Sequence, residues 1–388
     1  MASRSEIQGR RAALKEYLRL ALRNGTLLPG QILPTVRMLS KQFHLSLSVV
    51  NQALQELAEE GLVTIVPRLG TFVGQPNSNL SEFYLLLLPD HPADESKHAG
   101  LQVGFETRIT QLGGASLVLQ PEQAVRHRER GEMPPLAGVF NYAFDPNRDT
   151  SRYTDGSTPQ VGFASWAEDP EHSDLVSFDD VDGGCQAARA LLGAGHRRIA
   201  YLALHLEHGP FGVYLWSSER EQGWRQAMES AGLSTEGLAF HPQTISKFRP
   251  SMEKHMEDVE PAARQLIARN DISAVVAAND IVALSLFRVL RAARIPAERW
   301  PAVVGFDNLP RTRRYPLTSF HLPWDEVGRT AADLLWQRRH GQLTGDYVHR
   351  RIPMSLIRRL TSQAGWSATS YAMISIVADR AAKTLVSE

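Results

Sequence analysis

Between residues 83 and 360 the sequence repeats one pattern, a short apolar run followed by a longer amphipathic segment. Each run has the length of a β-strand and is nearly continuous in apolar residues, which is typical of strands covered on both faces. The amphipathic segments are long enough to be crossover helices, so the pattern predicts an α/β fold with parallel sheets. The candidate strands are FYLLLL (83–88), ASLVL (115–119), AGVFNY (137–142), PQVGF (159–163), RIAYLAL (198–204), SAVVAA (273–278) and AVVGF (302–306), and the candidate helices are 99–112, 182–193, 219–231, 258–269 and 282–293.

The 388-residue chain is too long for one ordinary domain, and its repeated β-α units fit two doubly wound lobes. Cys185 is the single cysteine, which excludes a disulfide framework and a cysteine-rich zinc module. The polar N-terminus, MASRSEIQGRR, lacks the apolar core of a signal peptide, and no apolar run is long enough to span a bilayer. We therefore expect a cytoplasmic protein without a membrane partner.

The first 75 residues follow a different pattern, three helical segments and then a hairpin. The first segment covers roughly residues 9–23, the second begins after a capping residue, Thr35, and the third begins after Ser46. Two β-rich runs, 62–66 and 71–73, then flank the turn sequence Pro-Arg-Leu-Gly. Three helices followed by a hairpin predict a winged helix-turn-helix, whose third helix would enter the major groove of DNA.

Charge is distributed unevenly between this module and the rest of the chain. Residues 1–75 carry nine Lys and Arg against five Asp and Glu, and the remaining residues carry 33 against 37. A basic module joined to a mildly acidic body indicates that one end of the protein meets a polyanion.

The N-terminal stretches LPGQILPTVRMLSKQF, LSLSVVNQALQELAEEGLV and GTFV, which lie within residues 17–74, resemble the GntR family of bacterial regulators. The resemblance implies a winged helix-turn-helix that binds operator DNA. Members of this family usually present arginines on helices two and three. Arg37 matches the first of these positions, whereas Leu47 and Asn51 occupy the next two.

We expect the DNA contacts to come from the outward residues of helices two and three and from the wing. Asn and Gln suit bidentate contacts with adenine, so the operator should be richer in A·T pairs than one read by arginines. Leu47 is placed to touch a thymine methyl group. The alternative for each position is a solvated polar helix face. The expected DNA-binding residues are Thr35, Arg37, Lys41, Ser46, Ser48, Asn51, Gln52, Arg68 and Gly70.

Ligands of doubly wound sheets bind outside the carboxyl ends of the strands, so polar residues that directly follow strands are the candidates. Asp90 follows the first predicted strand, Trp166 the fourth, Asn279 the sixth and Asp307 the seventh. Carboxylates and amides bind hydroxyl groups, and an indole ring stacks on an apolar ring face, a combination that suits a sugar-like ligand. The alternative for Asp307 is that it caps the following turn.

The body resembles the LacI/GalR-type effector domain, which is built like periplasmic sugar-binding proteins. The resemblance covers nearly all of 83–360, most strongly in the second half, through VSFDDVDGGCQAARALLGAGHRRIAYLA, SEREQGWRQAMESAGL, DISAVVAANDIVALSLFRVLRAARIP, VVGFDNLP, PLTSF and VGRTAADLL. It implies that Arg220 and Asp307 hold the ligand, with Asn279 as a further contact. It also places Phe178 and Asp179 near the crossing between lobes, and we expect Phe178 to be a further ligand contact. The alternative for Arg220 is an ion pair with Glu219 or Glu221 on an exposed helix.

Together these features predict a ligand-responsive, sequence-specific DNA-binding regulator, a homodimeric repressor relieved by a carbohydrate effector. A dimeric DNA-binding protein with a degenerate pocket and a solute-binding protein are the alternatives, and the second would need an export signal. No Gly-x-Ser-x-Gly, Walker or Gly-x-Gly-x-x-Gly motif is present, so neither an enzyme nor a cofactor is expected. His205 and His208 have no third partner nearby in sequence, which favours a solvated loop over a metal site.

The expected domain boundaries follow from these patterns. The winged helix-turn-helix covers 1–75, a linker 76–82, the two-lobed ligand-binding domain 83–360 and a tail 361–388. The polar connector QPNSNLS should let the DNA-binding module move relative to the body. A helix over 372–386 fits the tail, for which the sequence indicates no function.

Overall fold

The structure is a computed structural model that describes residues 4–23, 27, 32–66, 70–74, 82–89, 95–142, 154, 156–163, 173–204, 215–243, 252–309 and 316–362. The helices are α1 (Arg4–Arg23), α2 (Val36–Phe43), α3 (Leu47–Glu59), α4 (Glu95–Gln111), α5 (Pro121–Glu129), α6 (Asp180–Gly193), α7 (Leu215–Ser230), α8 (Met252–Ile267), α9 (Asp280–Ala292) and α10 (Trp324–Arg339). The strands are β1 (Val63–Val66), β2 (Gly70–Val73), β3 (Phe83–Leu87), β4 (Ala115–Leu119), β5 (Leu136–Asn141), β6 (Gln160–Phe163), β7 (Asp174–Phe178), β8 (Ile199–Leu202), β9 (Ala239–Phe240), β10 (Ala274–Ala277), β11 (Ala302–Phe306), β12 (Thr318–His321), β13 (His349–Ile352) and β14 (Ser355–Ile357).

The N-terminal module has the predicted order of three helices and a hairpin. Thr35 caps α2 by accepting a hydrogen bond from the backbone amide of Met38, and Ser46 caps α3 by accepting one from Val49. Strands β1 and β2 pair antiparallel to form the wing. The predicted helix starts at Thr35 and Ser46 are therefore confirmed, because the hydroxyl side chains satisfy amides that the first helical turn leaves free.

The chain divides into two compact units, and the division does not follow chain order. The first contains the winged helix and the residues up to Phe163, together with 173–176 and Trp324–Arg350. The second contains Ser177–Pro323 and residues 351–362. We call the sheet-containing part of the first unit the N-terminal lobe and the second unit the C-terminal lobe.

Both lobes contain a six-stranded sheet, and the first five strands follow the same order in each. The strand order is β4-β3-β5-β6-β7-β13 in the N-terminal lobe and β9-β8-β10-β11-β12-β14 in the C-terminal lobe. The strands β3 to β7 pair in parallel, as do β8 to β12, and β14 is antiparallel to β12. The prediction of two doubly wound parallel sheets is confirmed. In each sheet the strand order reverses beside the first strand, at β3 and β8, which is where such folds bind ligands.

Five strands of the sheet-containing lobes, β7, β9, β12, β13 and β14, and two helices were absent from the prediction. Strand β7 begins with Asp174, and β12 contains Thr318 and Ser319, so neither has a continuous apolar run. These polar groups are buried because each has a partner: Arg338 pairs with Asp174, and Thr318 bonds to the hydroxyl of Ser362. The two missed helices are α5 and α10.

Close helix packing in the C-terminal lobe positions one candidate residue. Helices α6 and α7 approach through Gly184 and Gly223, because a Cβ on Gly184 would lie 2.0 Å from the carbonyl oxygen of Arg220. A Cβ on Gly223 would likewise lie 1.9 Å from the carbonyl oxygen of Val181. These glycines bring Arg220 of α7 to the N-terminal end of α6.

Candidate functional site

The second and third helices of the winged helix present a polar surface. Arg37 and Lys41 are one turn apart on α2 and both are exposed, as are Ser48, Asn51 and Gln52 on α3. The apolar residues of α3 face the other way, into the core with α1 and α2. Leu47 is 46% exposed at the first turn of α3, beside the polar residues. The arrangement suits a helix that enters the major groove and reads base edges with amide side chains.

Four of the predicted DNA-binding residues have structural tasks as well. The hydroxyls of Thr35 and Ser46 cap helices, and Ser48 shares a hydrogen bond with Ser46 across 3.0 Å. Gly70, the first residue of β2, has a φ of 138°, a backbone conformation that favours glycine. Arg68, at the tip of the wing, lies outside the described residues.

Much of the positive charge that distinguishes the N-terminal module is neutralised within it. Arg19 of α1 donates from Nη2 to Glu60 across 2.7 Å, and Lys15 pairs with Glu56 at 2.9 Å. Arg11 also pairs with Glu56. The guanidinium of Arg19 and the ammonium of Lys15 hold the pKa of Glu60 below its usual value. These cations join α1 to α3 and its C-terminal cap, whereas Arg37 and Lys41 on α2 are exposed.

Arg220 is buried in the C-terminal lobe and held on three sides. Its Nε donates to Asp180 Oδ1 across 2.7 Å, and its Nη1 donates to the carbonyl oxygen of Ala278 across 2.7 Å, at the end of β10. The guanidinium carbon lies 4.2 Å from the ring centroid of Phe306 and 4.7 Å from that of Trp216. Within the described residues, Nη2 has no hydrogen-bond partner, so the fixed guanidinium retains donors for a ligand.

The alternative pairings of Arg220 with its sequence neighbours are wrong. Glu219 pairs with Arg351, and Glu221 pairs with Arg225 on the following turn of the helix. Arg220 instead turns inward, to a carboxylate 40 residues earlier in the chain. Burial raises the pKa of Asp180 to about 6, against the opposing pull of the Arg220 charge. The same burial makes the pair sensitive to loss of either partner.

Asn279 and Asp307 follow β10 and β11, beside the end of the sheet that Arg220 reaches. Asn279 is buried, and its Oδ1 caps α9 by accepting from the backbone amide of Val282 at 3.0 Å. Within the described residues its Nδ2 has no partner. Asp307 has a φ of 100°, a strained conformation for a residue with a side chain. Asn279 and Asp307 therefore place an amide and a carboxylate after neighbouring strands.

Asp280 fixes the strained segment that carries Asp307. Its carboxylate is completely buried and accepts from the hydroxyl of Ser319 at 2.7 Å and from the backbone amide of Leu309 at 2.9 Å. Gly305 makes room for it, since a Cβ there would lie 2.5 Å from Asp280 Oδ1. Asp307 itself donates its backbone amide to the carbonyl of Phe320. The backbone after β11 is thus fixed by two hydrogen bonds, one to the carboxylate of Asp280 and one to the carbonyl of Phe320.

The remaining predicted ligand-binding residues divide into two groups. Phe178 ends β7 and is only 3% exposed, and Asp179 caps α6 by accepting from the amide of Asp182. Asp90 and Trp166 lie outside the described residues. The same is true of the linker residues 76–81, of His205 and His208, and of the tail from 363 onward.

The N-terminal lobe has a polar and aromatic group at the equivalent end of its sheet that the sequence-based prediction missed. Asn141 ends β5, and its buried Oδ1 has no hydrogen-bond partner among the described residues. The next residue, Tyr142, packs with Phe163 and Trp324 at ring-centroid distances of 5.3 and 5.9 Å. Phe163 and Trp324 complete the cluster at 5.4 Å. The sequence Asn-Tyr at the end of the third predicted strand could have indicated this group, because it places a polar and an aromatic residue at a strand end.

Among the described residues, no three His, Cys, Asp or Glu side chains are grouped to hold a metal ion. None of the described helices is both long and apolar enough to cross a membrane.

Two family models match the chain. Residues 10–73 match the bacterial regulatory proteins of the gntR family, and residues 188–362 match the periplasmic binding protein-like domain. The HTH-type transcriptional regulator CelR of Thermobifida fusca is 34% identical over 265 residues, which cover 64% of this chain and 72% of the relative. DegA of Bacillus subtilis is 28% identical, over 59% of this chain and 66% of the relative. The ribose operon repressor of Escherichia coli is 30% identical, over 45% and 49%.

Solved structures share the fold. A complex of the transcriptional regulator CelR with cellobiose covers 81% of this chain and 89% of its own, with 24% identity and a TM-score of 0.55. A LacI family regulator from Enterococcus faecium with bound ribose covers 74% and 100%, with 21% identity and a TM-score of 0.54.

Proposed function

Since the chain belongs to the helix-turn-helix transcriptional regulators that combine a gntR-type DNA-binding module with a periplasmic-binding-protein-like domain, we propose that it represses transcription until a carbohydrate effector binds. The observation that carries the proposal is the presence of both matched domains on one chain. One supplies a base-reading helix, and the other supplies polar side chains at the ends of parallel strands.

The DNA-reading part of the proposal rests on exposure and chemistry. Arg37 and Lys41 are exposed on α2, as are Asn51 and Gln52 on α3. We assign the cations to phosphates and the amides to base edges in the major groove. Thr35, Ser46, Ser48, Arg68 and Gly70 complete the proposed interface.

The effector part rests on the groups at the strand ends. In the C-terminal lobe we assign Arg220, Asn279 and Asp307 to the hydroxyl groups of a sugar, because they offer charged and neutral donors and a carboxylate acceptor. In the N-terminal lobe we assign Asn141 to a hydroxyl and the Tyr142 cluster to an apolar sugar face. Asp90, Trp166 and Phe178 remain proposed ligand contacts. The sugars bound by the cellobiose and ribose complexes favour this class of effector.

We further assign a homodimer in the cytoplasm, bound to a two-fold symmetric operator. One winged helix makes few phosphate contacts, and linking two half-sites raises affinity without any new type of contact. Sedimentation at micromolar concentration should give twice the chain mass. A monomer together with a footprint lacking two-fold symmetry contradicts the dimer assignment.

The experiment that tests the function begins with the DNA. Selection of bound fragments from the genome that encodes the protein identifies the operator, and fluorescence anisotropy then measures its affinity. Cellobiose and ribose are titrated into the protein–operator complex, with sucrose and glycerol as controls. Release of the operator by a sugar at saturating concentration supports the proposal. Operator binding that no member of a wider sugar panel alters contradicts the effector assignment and favours a degenerate pocket.

A further inference from the structure

The sheet of the wing has two faces, and its side chains divide between two hydrophobic cores. Successive side chains of a strand point to opposite faces. Leu33 and Val73 belong to the core that α1, α2 and α3 form. Ile32 and Phe72, each one position away, belong instead to a core formed with residues of the N-terminal lobe. The outer face of the wing is therefore covered by the lobe.

Phe72 shows how complete this cover is. It is only 2% exposed, although it lies on the face of the hairpin turned away from the helices. Its ring meets Phe83 of β3 edge-to-face, with the centroids 6.2 Å apart at 70°. Leu85 and Leu87 of β3 and Leu117 of the edge strand β4 belong to the same core. An isolated winged helix would leave this phenylalanine in water, at a substantial hydrophobic cost.

Ile32 extends the contact beside Phe72. It forms an isolated bridge with Phe72, and the amide of the next residue, Leu33, donates to the carbonyl of Thr71. Gly70 allows this close packing, since a Cβ there would lie 3.0 Å from Ile32 Cδ1. The segment that precedes α2 thus adds one bridge to the edge of the wing, with Ile32 in the core shared with the lobe and Leu33 in the core of the helices.

We propose that the outer face of the wing, formed by Ile32 and Phe72, is a docking surface for the N-terminal lobe of the same chain. The DNA-binding module is then carried in a fixed orientation rather than on a free tether, in contrast to the mobility expected from the polar linker. A displacement of β3 moves the wing with it. The regulatory meaning of this coupling rests on the proposed function, whereas the docking itself does not.

Hydrogen exchange on the full-length chain tests the docking. Phe72→Ala should raise exchange at least about ten-fold in peptides covering residues 115–136 of the lobe, because truncation opens their contact with the wing. Ile65→Ala is the matched control, since Ile65 lies on the same hairpin and is 38% exposed. It should leave exchange in 115–136 unchanged. Unchanged exchange there in Phe72→Ala overturns the proposal.

A substitution in the lobe guards against the possibility that Phe72→Ala unfolds the wing. Phe83→Ala should raise exchange in residues 63–66 and 70–74 of the wing, and the melting temperature of the double variant should fall by less than the sum of the single losses. Additive losses overturn the proposal. So does wing protection that disappears on dilution, which would place the docking between two copies. Neither measurement involves operator or sugar, so failure of the proposed function leaves this test intact.

Discussion

The guanidinium of Arg220 and the carboxylate of Asp180 form an ion pair in the interior of the C-terminal lobe, with Nε and Oδ1 2.7 Å apart and both side chains almost fully buried. Two glycines at the crossing of their helices make the approach close enough. The pair therefore gives a residue proposed to bind ligand a second task, that of holding the lobe together.

The first prediction concerns the stability of this pair. Arg220→Ala leaves the Asp180 charge buried without its partner and should lower the free energy of unfolding by about 3–5 kcal/mol. Arg225→Ala removes a partly exposed pair with Glu221 on the same helix and should cost at most about 1 kcal/mol. Urea denaturation followed by circular dichroism measures both. Equal losses in the two variants contradict a structural role for the buried pair.

The second prediction concerns pH. The pKa of Asp180, raised by burial to about 6, exceeds that of an aspartate in the unfolded chain, so the folded protein binds the proton more tightly. The Asp180 contribution to stability is therefore present at low pH and is lost as pH rises through about 6, with a slope of up to about 1.4 kcal/mol per pH unit. Asp180→Asn should remove this slope. The measurement is the difference in unfolding free energy between wild type and variant from pH 4 to 8, and a difference independent of pH contradicts the assignment.

The third prediction separates base reading from phosphate contact. Asn51→Ala should weaken operator binding by about 1–3 kcal/mol and relax preference at one base pair, with little effect on random DNA. Lys41→Ala should weaken binding to both DNAs alike. Competition assays with operator and random duplexes measure the two effects. If Asn51→Ala loses equal affinity for both duplexes, α3 does not read bases through this residue.

The fourth prediction uses the ion pairs within the N-terminal module. Lys41→Ala should reduce the slope of log affinity against log salt concentration by about 0.9, as expected for one lost phosphate contact. Arg19→Ala should leave the slope unchanged, because Glu60 already neutralises Arg19. Affinity is measured between about 50 and about 300 mM KCl, since the screening of charges changes appreciably over this range. A reduced slope in Arg19→Ala would place α1 against the DNA.

Local sequence signals predicted the starts of α2 and α3 and most strands. Thr35 and Ser46 each accept a hydrogen bond from the amide three residues later, so a short stretch of sequence is enough to predict them as helix caps. The partners of Arg220 could not be predicted, because Asp180 and Ala278 are 40 and 58 residues away. Strands β7 and β12 were not predicted for the same reason, since their polar residues are buried against partners that are distant in sequence.

For the charge of the N-terminal module, the sequence predicted more than the structure supports. Counting Lys and Arg over residues 1–75 treats every cation as available to DNA, whereas Lys15 and Arg19 pair with glutamates of α3 and its C-terminal cap. Residue counts record sign and number, but the pairing between α1 and α3 decides which cations remain for a partner.

Asp307 offers the most direct test of the central claim, that a small molecule bound at the strand ends of the C-terminal lobe controls DNA binding. Its substitution leaves the buried Arg220 pair in place, and Asn tolerates positive φ better than most residues do. The measurement is operator affinity with and without the releasing sugar, in wild type and Asp307→Asn, with Asp346→Asn, an exposed carboxylate outside the proposed contacts, as control. The account predicts that Asp307→Asn binds operator like wild type without sugar and needs roughly ten-fold or more sugar for release, from loss of a charge-assisted hydrogen bond. Release at the wild-type sugar concentration would contradict it.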